Sequence, residues 1–328
     1  MGRLCVIGLT IIIGLTVVGA AVRGEGAWTD PSPHAISFLG IEQGVALEVL
    51  DWGGQGPPMI LLAGLGDTAH VFDQFALHFT DRFHVIGITR RGYGASGHPS
   101  DGYEITSLAN DIRVACDRLN ITRAILVGHS LAGDEMTTFA GTYPDRVSAL
   151  VYLDGAYDRT QIPPEGVGPQ QSPRPDDLVS IGKFAEYSLR TTGSRRPEAD
   201  IRWAVVTDAE GHLLRGAIPS TTPAAIMRGL ERPDYAHVQA PSLAIYQPNE
   251  LRFNFPNYAN LSDADKARAE AVIREGQPFV DRSIDQFRRE MAHGRVVRLT
   301  TGTHYMFITN EDEVVRIMRE YLAAVLPS

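Results

Sequence analysis

Cysteine is nearly absent: the 328 residues carry only Cys5 and Cys116. Cys5 falls inside an N-terminal apolar run, so the rest of the chain holds a single cysteine and cannot build an internal disulfide framework. An excess of positive charge is missing as well. The 30 Lys and Arg are outnumbered by 39 Asp and Glu, for a formal charge of -9, and without a basic stripe no surface can displace the counterions of a nucleic acid. Local pairs such as Arg195-Arg196 and Arg288-Arg289 read as solvated surface. There is no internal repeat and no low-complexity tract. At 44% hydrophobic and 21% charged, the composition excludes disordered and fibrous classes and supplies one sizeable core.

What is present begins with Met-Gly-Arg, an apolar run from Leu4 to Val18, and the small residues Gly19, Ala20 and Ala21. That is the layout of a secretory signal over residues 1–20 cleaved after Ala20, and export to a periplasm or medium is the expectation. The alternative is an uncleaved membrane anchor, since Leu4 to Val22 approaches the length of a bilayer span, although Gly8, Gly14 and Gly19 weaken it as a helix. Cys116 shares one face of a helical pattern with Leu108, Ile112 and Ala115, which marks it as a small core residue and not a nucleophile.

From residue 35 onward, short apolar runs alternate with amphipathic segments, the pattern of βα units around a mostly parallel sheet. Val45–Leu50 alternates, whereas 59–63, 85–88, 124–127, 149–153, 242–246 and 296–299 are largely continuous, as strands covered on both faces should be. Helices are predicted over 71–79, 105–119, 131–142 and 311–326, the last capped by Thr309 or Asn310. The expected fold class is α/β: about eight strands, mostly parallel, flanked by helices, with the core in 35–156 and 238–328. Proline-rich residues 157–237 read as a largely helical cap inserted after strand 6. Residues 250–293 form a second irregular stretch with charged helical runs over 262–275 and 283–292.

The strand 124–127 runs into Gly128-His129-Ser130-Leu131-Ala132-Gly133 and then into a helical pattern. Strand, sharp turn and helix are the context a nucleophile elbow demands, where small neighbours tolerate a strained serine. Here the sequence resembles the α/β-hydrolase superfamily over about residues 35–155 and 240–326. It departs at Ala132, where the motif's second glycine is usual. The resemblance implies Ser130 as nucleophile and His304, in Thr301-Gly302-Thr303-His304 after the last strand, as the base that takes its proton. His129, inside the elbow, packs or bonds beside the nucleophile. The oxyanion donors it implies are the N–H groups of Leu131 and of Leu65, within Ala63-Gly64-Leu65-Gly66-Asp67. Arg90 to Ser96 resembles a structural loop of the family, to which no chemistry is assigned.

The acid has more than one candidate. Asp154 ends the strand before the cap and is favoured; Glu250 follows the strand after the cap; Asp158 is third. The leading expectation is an acyl hydrolase that cleaves an ester-like bond of a small, apolar molecule through an acyl-enzyme on Ser130, with no metal or organic cofactor. The same residue set also serves carbon–carbon bond hydrolases and cofactor-free haloperoxidases, and a non-catalytic or slow ligand-binding protein on the same fold is the rival from another class. The expected partner is a small-molecule substrate, with a membrane only if the N-terminal segment stays uncleaved. Phe184, Tyr187 and Trp203 are candidate pocket aromatics, with cap core as the alternative.

Overall fold

A computed structural model describes residues 28–162, 168–169 and 171–326. The proposed signal or anchor therefore lies outside the described residues. In chain order the elements are β1 (Ala35–Glu42), β2 (Val45–Gly53), β3 (Pro58–Leu62), β4 (His84–Ile88), α1 (Ile105–Arg118), β5 (Ala124–His129), α2 (Ala132–Thr142) and β6 (Val147–Leu153). Then follow α3 (Ile181–Thr192), α4 (Glu198–Ala204), β7 (Val205–Thr207), β8 (Leu213–Gly216) and α5 (Thr221–Arg228). The chain ends with β9 (Ser242–Tyr246), α6 (Leu251–Asn254), α7 (Asp263–Glu290), β10 (Gly294–Arg298), α8 (Met306–Thr309) and α9 (Glu311–Val325). Among the described residues, no helix is long and apolar enough to cross a membrane.

Eight strands form one sheet in the order β1-β2-β4-β3-β5-β6-β9-β10. The β1–β2 and β2–β4 pairs are antiparallel and the remaining pairs parallel. The sheet is buried on both faces because successive side chains point opposite ways. In β5, Leu126 enters one core with α1, α2 and α7, while Ile125 and Val127 enter the other with α9 and the turns after β3. Cys116 sits in the first core, where burial pushes its thiol up to about 11. The structure thus has the α/β class anticipated above.

Three local expectations need correction. Residues 71–79 form two 3-10 turns, Ala69–Phe72 and Phe75–His78, and not one α-helix. Short 3-10 pieces occur where side-chain packing and not a continuous helical ladder holds the chain: the Phe72 and Phe75 rings, one from each turn, meet Phe307 at 4.9 and 5.7 Å. The two runs over 262–275 and 283–292 are one helix, α7, which continues through Gly276 and Pro278. Its apolar stripe packs Val280, Ile284 and Phe287 on the core, which offsets the one hydrogen bond that proline forfeits. Asn310 stands at the N-cap position of α9 but does not cap it; its side-chain amide donates to Thr301 Oγ1 at 2.9 Å instead. The Cβ of any residue at Gly302 would fall 2.3 Å from Asn310 Oδ1, so the loop before His304 is pinned to the start of α9.

Candidate active site

The parallel strands deliver their C-terminal ends to one edge, where Leu65 follows β3, Ser130 follows β5 and Asp154 follows β6. Such a row of strand ends is where open α/β sheets hold ligands. Ser130 and Asp154 both adopt the left-handed backbone region, at φ 51° and 49°, which costs a non-glycine residue of order 1 kcal/mol. Neighbouring strands enforce it: Ser130 N–H donates to Leu153 O at 3.0 Å, and Asp154 N–H donates to Ile245 O at 2.8 Å.

The same packing accounts for the departure at Ala132. A Cβ at Gly133 would fall 2.1 Å from the backbone oxygen of Gly155, an impossible contact, whereas the methyl of Ala132 is buried without such a clash. Glycine is required one residue later than the usual motif places it.

His304 arrives on the loop after β10. Its Nδ1 lies 2.6 Å from Asp154 Oδ2, a donor-to-carboxylate hydrogen bond that leaves Nε2 free to take a proton. The other oxygen, Asp154 Oδ1, accepts from the Tyr157 hydroxyl at 2.6 Å and from Gln247 N–H at 3.2 Å. Glu250 is placed elsewhere, its half-exposed carboxylate paired with Arg252 at 2.9 Å. Asp158 caps a turn by accepting from Thr160 N–H at 3.2 Å.

His129 is buried against His304, with ring centroids 4.4 Å apart, and its Nε2 donates to the backbone oxygen of His304 at 3.1 Å. Burial holds its pKa well below the usual imidazole range, so it stays neutral and supports the loop. Its Nδ1 lies 3.7 Å from Asp67 Oδ2. Asp67 is raised to about 6, chiefly by burial and against the pull of Arg196. Arg196 from the cap meets Asp67 Oδ1 at 3.0 Å, and Asp200 of α4 accepts from Thr68 N–H at 2.8 Å, so the cap is latched to the loop after β3.

That loop is also held from below. Arg90, buried, donates to Ala63 O at 2.6 Å and Gly64 O at 3.1 Å, and pairs with Glu135 of α2. In a trans peptide the C=O and N–H point in opposite directions. Anchoring Gly64 O therefore turns Leu65 N–H away from Arg90. Among the described residues, neither Leu65 N–H nor Leu131 N–H has a hydrogen-bond partner. A Cβ at Gly64 would stand 3.2 Å from Ser130 Cβ, so glycine lets the loop approach the serine.

Ser130, Asp154 and His304 line one cleft of about 400 Å³ with Tyr157, Arg159 and Gln247. Its far wall is α7, which presents Val272, Gly276, Phe279 and Val280. Sequence reasoning missed this wall, although the i, i+4, i+7, i+8 spacing of those four residues was legible as a stripe. It also left Arg90 and Tyr157 without roles. Phe184 packs in the cap's own small core, Tyr187 donates its hydroxyl to Gln171 O, and Trp203 is part-exposed over His70. None of the three lines the cleft. Among the described residues, histidine and carboxylate clusters spaced for a metal lie outside it, at Asp30/His34/His70/Asp73 and at Asp208/Glu210/His212.

Comparison with known proteins agrees with this fold. The family described as alpha/beta hydrolase fold matches residues 57–203. A 2-(acetamidomethylene)succinate hydrolase of Mesorhizobium japonicum is 39% identical over 101 residues, 31% of this chain and 36% of that protein. A putative non-heme haloperoxidase of Mycobacterium phage D29 is 32% identical over 138 residues, 42% of this chain and 45% of that protein. The chain thus spans less than half the length of these curated relatives. The crystal structure of an E-2-(acetamidomethylene)succinate hydrolase superposes with a TM-score of 0.64 at 23% identity, covering 88% of this chain and 99% of the other. By its sheet order and these likenesses, the chain has the α/β-hydrolase fold.

Proposed function

We propose that the protein is a serine hydrolase that cleaves an ester-like acyl bond of a small, largely apolar substrate. The observation that carries this reading is the Asp154–His304 hydrogen bond beside a serine held at φ 51° in the same cleft. Ser130 Oγ attacks the carbonyl carbon as His304 Nε2 takes its proton, and the oxyanion lies against the N–H groups of Leu65 and Leu131. His304 returns the proton to the leaving group; water, activated by the same nitrogen, then cleaves the acyl-enzyme. Asp154, aligned by Tyr157 and Gln247, keeps the imidazole in the required tautomer.

The cleft argues for the acyl portion lying along Val272, Phe279 and Val280, with Gln247, Asn249 and Asn254 at its polar edge. A fluorophosphonate probe tests the assignment. Wild type is expected to label covalently and Ser130→Ala not at all; equal labelling of the two would refute the proposal. A series of acyl esters of graded length then measures the apolar subsite.

A further inference from the structure

Outside the cleft, four side chains converge from two segments distant in sequence: Asp30 and His34 precede β1, and His70 and Asp73 belong to the turn over Ala69–Phe72 and its end. We propose that they form a structural site for a divalent transition-metal cation of the zinc type, clamping the segment before β1 to the turn that follows the oxyanion loop.

The donors suit the ion. Two imidazoles and two carboxylates are a common borderline-hard set, and bonds of about 2.0–2.1 Å in a tetrahedron put ligand atoms about 3.3 Å apart. Here His34 Nδ1 lies 3.1 Å from Asp73 Oδ1, His70 Nδ1 lies 3.1 Å from Asp30 Oδ2, and His70 Nδ1 lies 3.5 Å from Asp73 Oδ2. One donor atom from each of the four residues falls within 4.8 Å of the others. Both histidine side chains are only 2% exposed.

The polar atoms themselves are the second observation. Asp30 Oδ2, His34 Nδ1, His70 Nδ1, His70 Nε2 and Asp73 Oδ1 are buried, yet none makes a directed hydrogen bond among the described residues. Buried groups left so cost about 1–3 kcal/mol each, and an ion at their centre satisfies several at once. No Lys or Arg among the described residues pairs with Asp30, Asp73 or the adjacent Glu48. Glu48 Oε1 lies 3.6 Å from His70 Nε2, on the ring edge away from the ligand nitrogen, the carboxylate–histidine pairing that orients a metal-bound imidazole. Trp52, edge-on to His34, and Trp203, stacked over His70, wall the site.

The competing arrangement is an ion-pair cluster with protonated histidines. One dication displacing two imidazole protons leaves the net charge unchanged, so metal and proton compete for the same nitrogens.

The full chain, stripped with a chelator and dialysed, is titrated with Co²⁺ and with Zn²⁺. Binding of one equivalent, visible d–d bands of four-coordinate Co²⁺, and a rise in Tm of roughly 5 °C at a hundredfold excess over Kd are expected. His70→Gln and Asp73→Asn lose the bands, whereas His212→Ala, in the exposed cluster, keeps them. Failure of wild type to develop bands, an unchanged Tm, or bands that survive His70→Gln but vanish in His212→Ala each overturns the site. The wild-type titration decides even where a variant does not fold.

Discussion

The two walls of the cleft are built by different means. On the sheet side, the groups proposed to react are fixed by several directed bonds: Asp154 accepts from three donors, and Arg90 grips two carbonyls of the loop that carries Leu65. On the α7 side, Val272, Phe279 and Val280 contribute apolar surface, and polar ties such as Asn249 Nδ2 donating to Ile273 O at 3.0 Å and Arg298 pairing with Asp281 at 2.5 Å fall on residues outside that stripe. Chemistry needs atoms placed within fractions of an ångström, which directed bonds supply. Choosing a substrate needs only shape and apolar area.

If that division holds, substitutions on the sheet side reduce turnover and those on α7 shift preference. Asp154→Asn should lower kcat about 10⁴-fold in an ester assay with KM little changed, and Glu250→Gln should leave it near wild type; the reverse pattern would move the acid to Glu250. Arg90→Met should cost about 10²–10³-fold in kcat, since it frees the peptide that aims Leu65 N–H. A loss confined to KM would show that Arg90 acts only in binding.

Asp67→Asn tests the latch between cap and loop through stability. Burial raises the folded-state pKa of Asp67 from 3.8 to about 6, so its ionisation opposes folding: its contribution is favourable below about 4 and is lost as pH rises through about 6. Denaturant titrations of the variant relative to wild type should therefore shift in the variant's favour by about 2–3 kcal/mol between pH 4 and pH 7. A pH-independent difference would show that Asp67 does not titrate there. The smallest effect is expected from Phe279→Ala, about 10-fold in the ratio of kcat/KM for long over short acyl chains. Equal losses on both chain lengths would place Phe279 outside the acyl subsite.

How much of this was readable in the sequence depends on how local the cause is. Strands β3, β5 and β6 announced themselves because burial on both faces forces continuous apolar runs, and the elbow because its strain demands small residues in consecutive positions. Edge strand β1 was not anticipated, for Ile36 and Phe38 face solvent and leave no alternating signal. The continuity of α7 was hidden because Gly276 and Pro278 are local breakers, while the packing that overrides them comes from β6 and the turn around Tyr235. Arg90 is 26 residues from the carbonyl of Gly64 that it holds, and His34 is 36 residues from His70. Pairings at that range are set by sheet order, which no short motif encodes.

The contact between Gly133 and Gly155 makes Ser130 and Asp154, the proposed nucleophile and acid, a single unit of inheritance. Because a methyl at position 133 strikes the Gly155 carbonyl, and one at position 155 falls 3.0 Å from the Ser130 carbonyl, either substitution displaces both strand ends together. In a double-mutant cycle the pair should be strongly non-additive, the second alanine adding little to the damage done by the first. Replacement of the acid by evolution or design is then easier by changing what stands at 154 than by relocating it, since the turn that holds Asp154 also holds Ser130.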